Sequence, residues 1–85
     1  MPDKLPALKT DRVVRALEAC GFRRVRQRGS HLILERPNTP VQVVIAMHKR
    51  ELGPRLVGKI IAQSGVSAEE FLKHVQPDAR PGEAS

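Results

Sequence analysis

Two short connections constrain how the middle of the chain folds. Gly29-Ser30 separates the segment 22–28 from the segment 31–36, and residues 37–40 separate the latter from 41–47, which is rich in β-branched residues. A Gly-Ser pair between two such segments is a hairpin signal, and a connection containing proline and asparagine is typical of a turn. Parallel strands need a crossover of about a dozen residues or more, which neither connection offers. The three segments are therefore predicted to form an antiparallel meander.

Amphipathic helices are predicted on both sides of this meander. Residues 1–9 contain two prolines and are expected to form an extended arm. Apolar residues then recur at helical spacing over 10–20, with Thr10 as the predicted N-cap. A second helix is predicted to begin at Pro54 and to end before Gly65, because proline suits the first turn and glycine the C-terminal stop.

The complete order of elements predicts an α+β fold. Ser67 and Glu70 form a capping box that starts a third, short helix over 68–75. With the two main helices on one face of the sheet, the α-β-β-β-α order gives a two-layer sandwich whose other sheet face is open. The 85-residue length predicts a single domain, over 5–75, and the non-periodic residues 76–85 are expected to be a disordered tail.

Composition narrows the possible partners. The chain has 15 Lys and Arg residues against 9 Asp and Glu, a net charge of +6, which favours an anionic partner such as nucleic acid or an acidic protein. Two Phe and no Tyr or Trp disfavour binding of single strands by rows of stacked aromatic rings. The apolar runs are too short for a signal peptide or a membrane span, so we expect a cytoplasmic protein without a membrane partner.

An arginine cluster directly precedes the hairpin turn. Arg23, Arg24, Arg26 and Arg28 lie within six residues, without an intervening acid, and Arg24, Arg26 and Arg28 are expected beside His31. Charges on an edge strand can simply prevent aggregation, and a charge run is usually a solvated face. Because four charges of one sign exceed what edge protection needs, we favour contact with phosphate groups.

His31 is the candidate for proton transfer. A single histidine at the start of a strand is ordinarily a hydrogen-bonding residue only, but this one follows a Gly-Ser turn and is expected on the open sheet face. A histidine can take a proton from an RNA 2′-hydroxyl group, or give one to the leaving oxygen, near neutral pH and without a metal. His48 is expected on the same face, as a second proton-transfer group, a phosphate contact or a residue without a role.

The sequence does not predict a metal site or a cofactor site. The histidines, the acids and Cys20 show no metal-ligand spacing, and no cofactor is predicted. Cys20 falls on the apolar stripe of the first helix and is interpreted as a core residue rather than a nucleophile. A single cysteine also excludes an internal disulfide.

Several of these motifs, taken together, resemble the HicA (YcfA-like) toxin family over roughly residues 5–75. The resemblance is carried by Gly21-Phe22 after the first helix, Gly29-Ser30-His31 before an apolar strand, His48 after the next strand, and Gln63-Ser64-Gly65. It implies a fold like the double-stranded-RNA-binding domain and an mRNA interferase that cleaves RNA without a metal. His31 matches the family's catalytic histidine. The implied partners are mRNA and a cognate acidic antitoxin, HicB.

The chain departs from the family pattern at two places. Ala46-Met47-His48 stands where relatives often have proline before a basic residue and histidine, which weakens the assignment of a role to His48. Arg55-Leu56 stands where relatives have Gly-Thr, so a hydroxyl group that could cap the second helix or contact phosphate is missing.

Three functional hypotheses follow. The first is the toxin of a type II toxin–antitoxin pair, an endoribonuclease with His31 as general acid or base. Its predicted contacts to the RNA backbone are Arg24, Arg26, Arg28, Ser30, His48 and Lys49. The second is a non-catalytic RNA-binding module of the same fold. The third is a protein-interaction domain whose basic face docks an acidic partner. An acidic antitoxin is compatible with the first hypothesis as well, because Ile33 and Val44 on the open face would give it an apolar docking patch flanked by arginines. The sequence leaves the oligomeric state of the free protein open, a monomer included.

Overall fold

The structure, a computed structural model, describes residues 5–75. The predicted tail at 76–85 and the first four residues of the predicted arm lie outside this range. The elements in chain order are β1 (Leu8–Lys9), α1 (Thr10–Ala19), β2 (Arg23–Arg28), β3 (His31–Glu35), β4 (Gln42–Ala46), β5 (Glu51–Leu52), α2 (Pro54–Ser64) and α3 (Ala68–Lys73).

The predicted antiparallel meander is present, with the strand order β2-β3-β4. Gly29 has a φ of 58°, a left-handed conformation that glycine adopts readily, and it allows the two-residue turn between Arg28 and His31. Each strand is shorter than predicted by one residue at one or both ends. The fold is therefore α+β with a three-stranded antiparallel sheet, as the sequence indicates.

The two sheet faces differ sharply in burial. On β3 and β4, Leu32, Leu34, Val43 and Ile45 are buried, and Leu34 lies opposite Val43 in the strand register. The alternate residues of both strands are exposed or half-buried. Because successive side chains of a strand point to opposite faces, the helices cover one face and the other is open.

The core lies between the buried sheet face and one apolar side of each helix. It joins residues from α1, the meander, α2 and α3 into one cluster. The helix residues in it include Val13, Val14, Ala16 and Leu17 of α1, Val57, Ile60 and Ile61 of α2, and Phe71 of α3. At about 25 cal/mol per Å² of apolar surface, this burial is the main favourable term that holds the helices on the sheet.

The predicted start of α1 is wrong in one detail. The N-cap position is Lys9, whereas Thr10 is already the first helical residue and is buried. Its hydroxyl group donates a hydrogen bond to the carbonyl oxygen of Lys49, and its backbone N–H donates to the carbonyl oxygen of Arg50 at 2.9 Å. Thr10 therefore ties α1 to the segment after β4 instead of capping its own helix.

The cap of α3 is confirmed. The Ser67 hydroxyl group accepts a hydrogen bond from the Glu70 backbone N–H at 3.1 Å. The Glu70 carboxylate is paired with His74 Nε2 at 3.0 Å, which extends along the helix away from the cap. This helix ends at Lys73, two residues before the predicted end, and α1 ends at Ala19, one residue before it.

A small two-stranded ribbon was not predicted. Leu8–Lys9 pairs antiparallel with Glu51–Leu52, in segments expected to be an arm and a loop. Strands of two residues carry no readable alternation, so this pairing leaves no pattern in the sequence. The ribbon joins the residues just before α1 to those just before α2. Among residues 5–75, no helix is both long enough and apolar enough to cross a membrane.

We predict that substitutions on the two sheet faces differ strongly in their effect on stability. Leu34→Ala should lower the free energy of unfolding by about 2–5 kcal/mol, because Leu34 is fully buried and the change leaves a cavity. Val44→Thr, on the open face of the neighbouring strand, should change it by less than about 0.5 kcal/mol. Urea denaturation of both variants measures the difference; equal losses would contradict the assignment of the faces.

Candidate functional site

A β-bulge divides the arginine cluster between the two faces of the sheet. Arg24 lies opposite Leu34 and Arg26 lies opposite Ile33, so two steps along β2 correspond to one step along β3. Val25, with 48% of its surface exposed, is the extra residue. Because an inserted residue shifts the alternation of the strand, the side chains before and after Val25 do not follow one regular pattern.

The bulge changes which arginines accompany His31. Residues directly opposite each other in an antiparallel pair point to the same face, so Arg26 and Arg28 lie on the open face with Ile33 and His31. Arg24 instead lies on the helix side, where its Nε donates to a Glu18 carboxylate oxygen of α1 at 2.9 Å. The expectation that Arg24 stands beside His31 is therefore wrong.

Arg23 takes the position on the open face that regular alternation would give to Arg24. It pairs in register with Glu35, the last residue of β3. The Glu35 carboxylate also accepts a hydrogen bond from Gln42 Nε2 at 2.8 Å. The open face thus has a cationic end, formed by Arg26 and Arg28, and a mixed end that contains an acid.

His31 stands at the cationic end of the open face. It is the first residue of β3, exposed, and lies in register with Arg28 on one side and Ala46 on the other. The ring of His48 is 6.4 Å away between centroids, at an interplanar angle of 74°. The structure therefore brings together the two histidines that the sequence places on one face.

A backbone hydrogen bond holds the two histidines at the same end of the sheet. The N–H group of Met47 donates to the carbonyl oxygen of Ser30 at 2.6 Å, which joins the hairpin turn to the residue after β4. His31 and His48 follow directly on these two residues in the sequence. Their approach is thus built into the backbone, and both side chains remain exposed.

A groove runs from His31 along the edge of the sheet to α2. It has a volume of about 550 Å³ and is lined mainly by apolar side chains of β4 and α2. Its members include His31, Val44 and Ala46 on the sheet, and Leu56, Lys59 and Gln63 on the helix. Val44 has 42% of its surface exposed there. The groove joins the histidine site to the outer side of α2.

Lys59 and Gln63 were not predicted as site residues, although Gln63 belongs to the Gln63-Ser64-Gly65 motif of the family resemblance. Together with Leu56 and Ile60 they recur at i, i+3, i+4 and i+7, the spacing of one stripe of a helix. That stripe lies next to the core stripe and shares Ile60 with it, so the apolar pattern alone does not separate the two. The spacing therefore held no signal that separates Lys59 and Gln63 from other polar residues of the helix.

The remaining predicted site residues lie around this centre. Ser30 is half-buried within the hairpin turn. Lys49 is exposed, and it borders a second depression, of about 530 Å³, together with Lys9 and Arg50 beside the start of α1. The predicted RNA contacts thus cover two neighbouring regions, and their roles stay predictions.

Cys20, Glu70 and His74, the other side chains that could take part in chemistry, lie outside the candidate site. Partial burial raises the pKa of the Cys20 thiol, the Glu70 carboxylate adds to the rise, and Arg36 opposes it. A thiol with a raised pKa is a poor nucleophile, which agrees with the interpretation of Cys20 as a core residue. The hydrogen bond from His74 holds the pKa of the Glu70 carboxyl group below its usual value, and Lys73 contributes in the same direction.

Within the described range, 5–75, no three His, Cys, Asp or Glu side chains are grouped so that they could hold a metal ion.

Comparison with known families identifies the chain. A family model described as the HicA toxin of bacterial toxin–antitoxin systems matches residues 10–66, more than half of the 85-residue chain. The chain belongs to the HicA toxin family. The matched region begins at α1 and includes the whole meander, His31, His48 and α2. No curated protein matches the chain.

Membership of the HicA family gives the general biological role. The protein is a toxin of a bacterial toxin–antitoxin system, and such a system implies an antitoxin as its partner. The α+β architecture with its three-stranded sheet agrees with the fold like the double-stranded-RNA-binding domain that the family resemblance implies.

Proposed function

We propose that this HicA-family toxin is a metal-independent endoribonuclease that cleaves mRNA, with His31 as a general acid or base. The observation that carries the proposal is the pair of exposed imidazole rings, 6.4 Å apart between centroids, on a basic sheet face. The catalytic domain in this proposal spans residues 5–75.

The chemistry needs only groups that the RNA and these side chains supply. A base removes the proton of a ribose 2′-hydroxyl group, whose oxygen then attacks the adjacent phosphorus. The bond from phosphorus to the 5′-oxygen breaks, and an acid protonates that oxygen. The products are a 2′,3′-cyclic phosphate and a free 5′-hydroxyl group. A histidine can perform either proton transfer, and the proximity of His48 supports assigning it the second one.

The neighbouring cations support binding of the phosphate chain. Arg28 is the register partner of His31, and Arg26 lies on the same face. Guanidinium groups form two-pronged hydrogen bonds with phosphate oxygens and stabilise the negative charge that develops during attack. We propose that these arginines position the scissile phosphate beside His31, while Ser30, His48 and Lys49 supply further contacts and Arg24 contributes from the edge of the sheet.

We further propose that the antitoxin is an acidic, HicB-like protein that binds over the open face. The toxin carries a net charge of +6, and its exposed apolar residue Val44 lies on the face that also presents Arg26 and Arg28. An apolar centre with cationic surroundings fits a partner of opposite charge, which also speeds association. A protein bound there would cover His31.

A non-catalytic RNA-binding module is the alternative function. The same exposed arginines would contact phosphates and 2′-hydroxyl groups of RNA without cleaving it. Under this alternative, His31 contributes at most a contact. A protein-interaction domain, the third hypothesis, would show no salt-sensitive affinity for RNA.

We predict that His31→Ala abolishes cleavage while the protein stays folded. Loss of a general acid or base typically lowers a rate by about 10²–10⁴-fold, and His31 is exposed, so its removal leaves the core intact. The matched control is His74→Ala, which removes the α3 histidine that is paired with Glu70. Purified proteins are incubated with a defined mRNA in excess EDTA, and the fragments are resolved on a gel.

The outcomes of this experiment separate the two main hypotheses. Cleavage by the wild type and the His74→Ala variant, but not by His31→Ala, supports the endoribonuclease. Cleavage by His31→Ala at the wild-type rate would refute the assignment of His31. Intact RNA with every variant, together with salt-sensitive binding, would favour the non-catalytic module.

We predict that the bulge makes the arginines unequal in RNA binding. In a His31→Ala background, Arg26→Ala and Arg28→Ala should each reduce the slope of log affinity against log salt by about 0.7–0.9, the value for one phosphate contact. Arg24→Ala should change it less, because the Arg24 Nε is engaged with Glu18 on the helix side. Fluorescence anisotropy with labelled RNA at several salt concentrations measures the slopes, and equal changes for all three variants would refute the division.

A further inference from the structure

We propose that the groove between β4 and α2 binds one unstacked nucleobase of the RNA, with Gln63 reading the edge of the base and Lys59 contacting a phosphate. This inference rests on the proposed action on RNA and adds a specificity site to it. Lys59 and Gln63 belong to α2, outside the strands that carry His31 and the arginines.

The groove is continuous with the histidine site. His31 is itself one of its lining residues, and so is Ala46, the register partner of His31 on β4. An occupant of this end of the groove therefore lies beside His31. If the scissile phosphate lies at His31, the base of an adjacent nucleotide is the nearest group that can enter the groove.

The lining matches a nucleobase in its chemistry. A volume of about 550 Å³ lies within the usual range of ligand sites, which are mostly apolar with few polar groups. Val44, Ala46 and Leu56 offer aliphatic surface for the flat face of a base, in the way that enzymes hold extruded bases between apolar side chains. The chain has few aromatic residues on which a base could stack, and contact with these aliphatic side chains partly replaces such stacking.

The two polar side chains of α2 have complementary roles. The Gln63 amide both donates and accepts hydrogen bonds, as recognition of a base edge requires. The Lys59 ammonium group is a compact cation with three donors that suits a phosphate oxygen. The residues Lys59 and Gln63 are four apart, so they stand one above the other on the helix.

The charge of the groove is compatible with a nucleotide. The described residues that line the groove include a lysine and a histidine but no acid, so an anionic occupant meets no repulsion there. A paired and stacked base in an A-form duplex cannot enter a groove of this kind. We therefore infer that the RNA is single-stranded at the position next to His31.

Binding measurements in a His31→Ala background test the proposal without any cleavage. The variants are Gln63→Leu and Lys59→Met, with Gln42→Leu and Lys73→Met as matched controls; Gln42 lies at the far end of β4 and Lys73 on α3. The probes are single-stranded RNA oligonucleotides that differ in one central base, and a duplex of the same sequence. Thermal melting of each variant verifies that it is folded, and Gln63→Glu provides a second change of the amide with little change of shape.

The expected result is a preference of about tenfold for one central base, the size of one well-made hydrogen bond. Gln63→Leu should remove most of this preference, and Gln63→Glu should change which base is preferred. Lys59→Met should lower the affinity for every single strand and reduce the salt slope by about 0.7. The duplex and both control variants should show none of these changes.

Three results would overturn the proposal. They are equal affinity for all central bases, a preference that Gln63→Leu leaves unchanged, and variants that weaken binding of the antitoxin but not of RNA, which would assign the groove to the antitoxin. Because no readout depends on cleavage, failure of the endoribonuclease assignment is seen separately: the wild type would leave RNA intact while the base preference and its loss in Gln63→Leu persist.

Discussion

The burial of one face of β3 and β4 is the constraint on which the rest of the structure depends. Leu32, Leu34, Val43 and Ile45 occupy the core together with residues from all three helices. Since the side chains of a strand alternate, burying these four residues obliges their neighbours to face away from the helices. A slip of one residue in either strand would place its buried apolar residues in solvent and polar residues, such as His31 of β3 or Gln42 of β4, in the core. The exposed site therefore owes its position to apolar residues that no substrate touches.

The strand β2 obeys a weaker constraint. All six of its residues are exposed, so the core does not determine which way they point, and its conformation follows from pairing with β3 and from the buried Phe22 that precedes it. This freedom tolerates the bulge at Val25, and the bulge determines which arginines face the histidines. In this chain, a local irregularity of the backbone thus determines which of the arginines share the open face with the histidines.

The parts of the fold that the sequence predicted are those with strong local patterns. The apolar stripes of the helices, the alternation on β3 and the Gly29-Ser30 turn each left a signal that the structure confirms. The ribbon of Leu8–Lys9 with Glu51–Leu52 and the bonds of Thr10 left none, because they join residues distant in the chain and involve too few positions to show a period.

The residues of the candidate site likewise include some that the sequence predicted and some that it did not. His31 and His48 were predictable as neighbours, since both follow from the register of a meander with short turns. The position of Arg24 on the helix side of the sheet was not predictable. The segment 22–28 has two apolar residues in seven, so its pattern gives no evidence of an inserted residue. Lys59 and Gln63 could not be assigned either, because their approach to β4 depends on how α2 packs at the edge of the sheet.

The hydrogen bond between Met47 and Ser30 has a consequence for how this protein can change over evolutionary time. It connects two backbone groups, so the spacing of the two histidines is independent of the side chains at these positions. Mutations on the exposed surface of α2 can accumulate without removing this link between the two strand ends. A toxin under pressure to escape one antitoxin and match another could thereby remodel the walls of its site while the two imidazoles keep their relative positions.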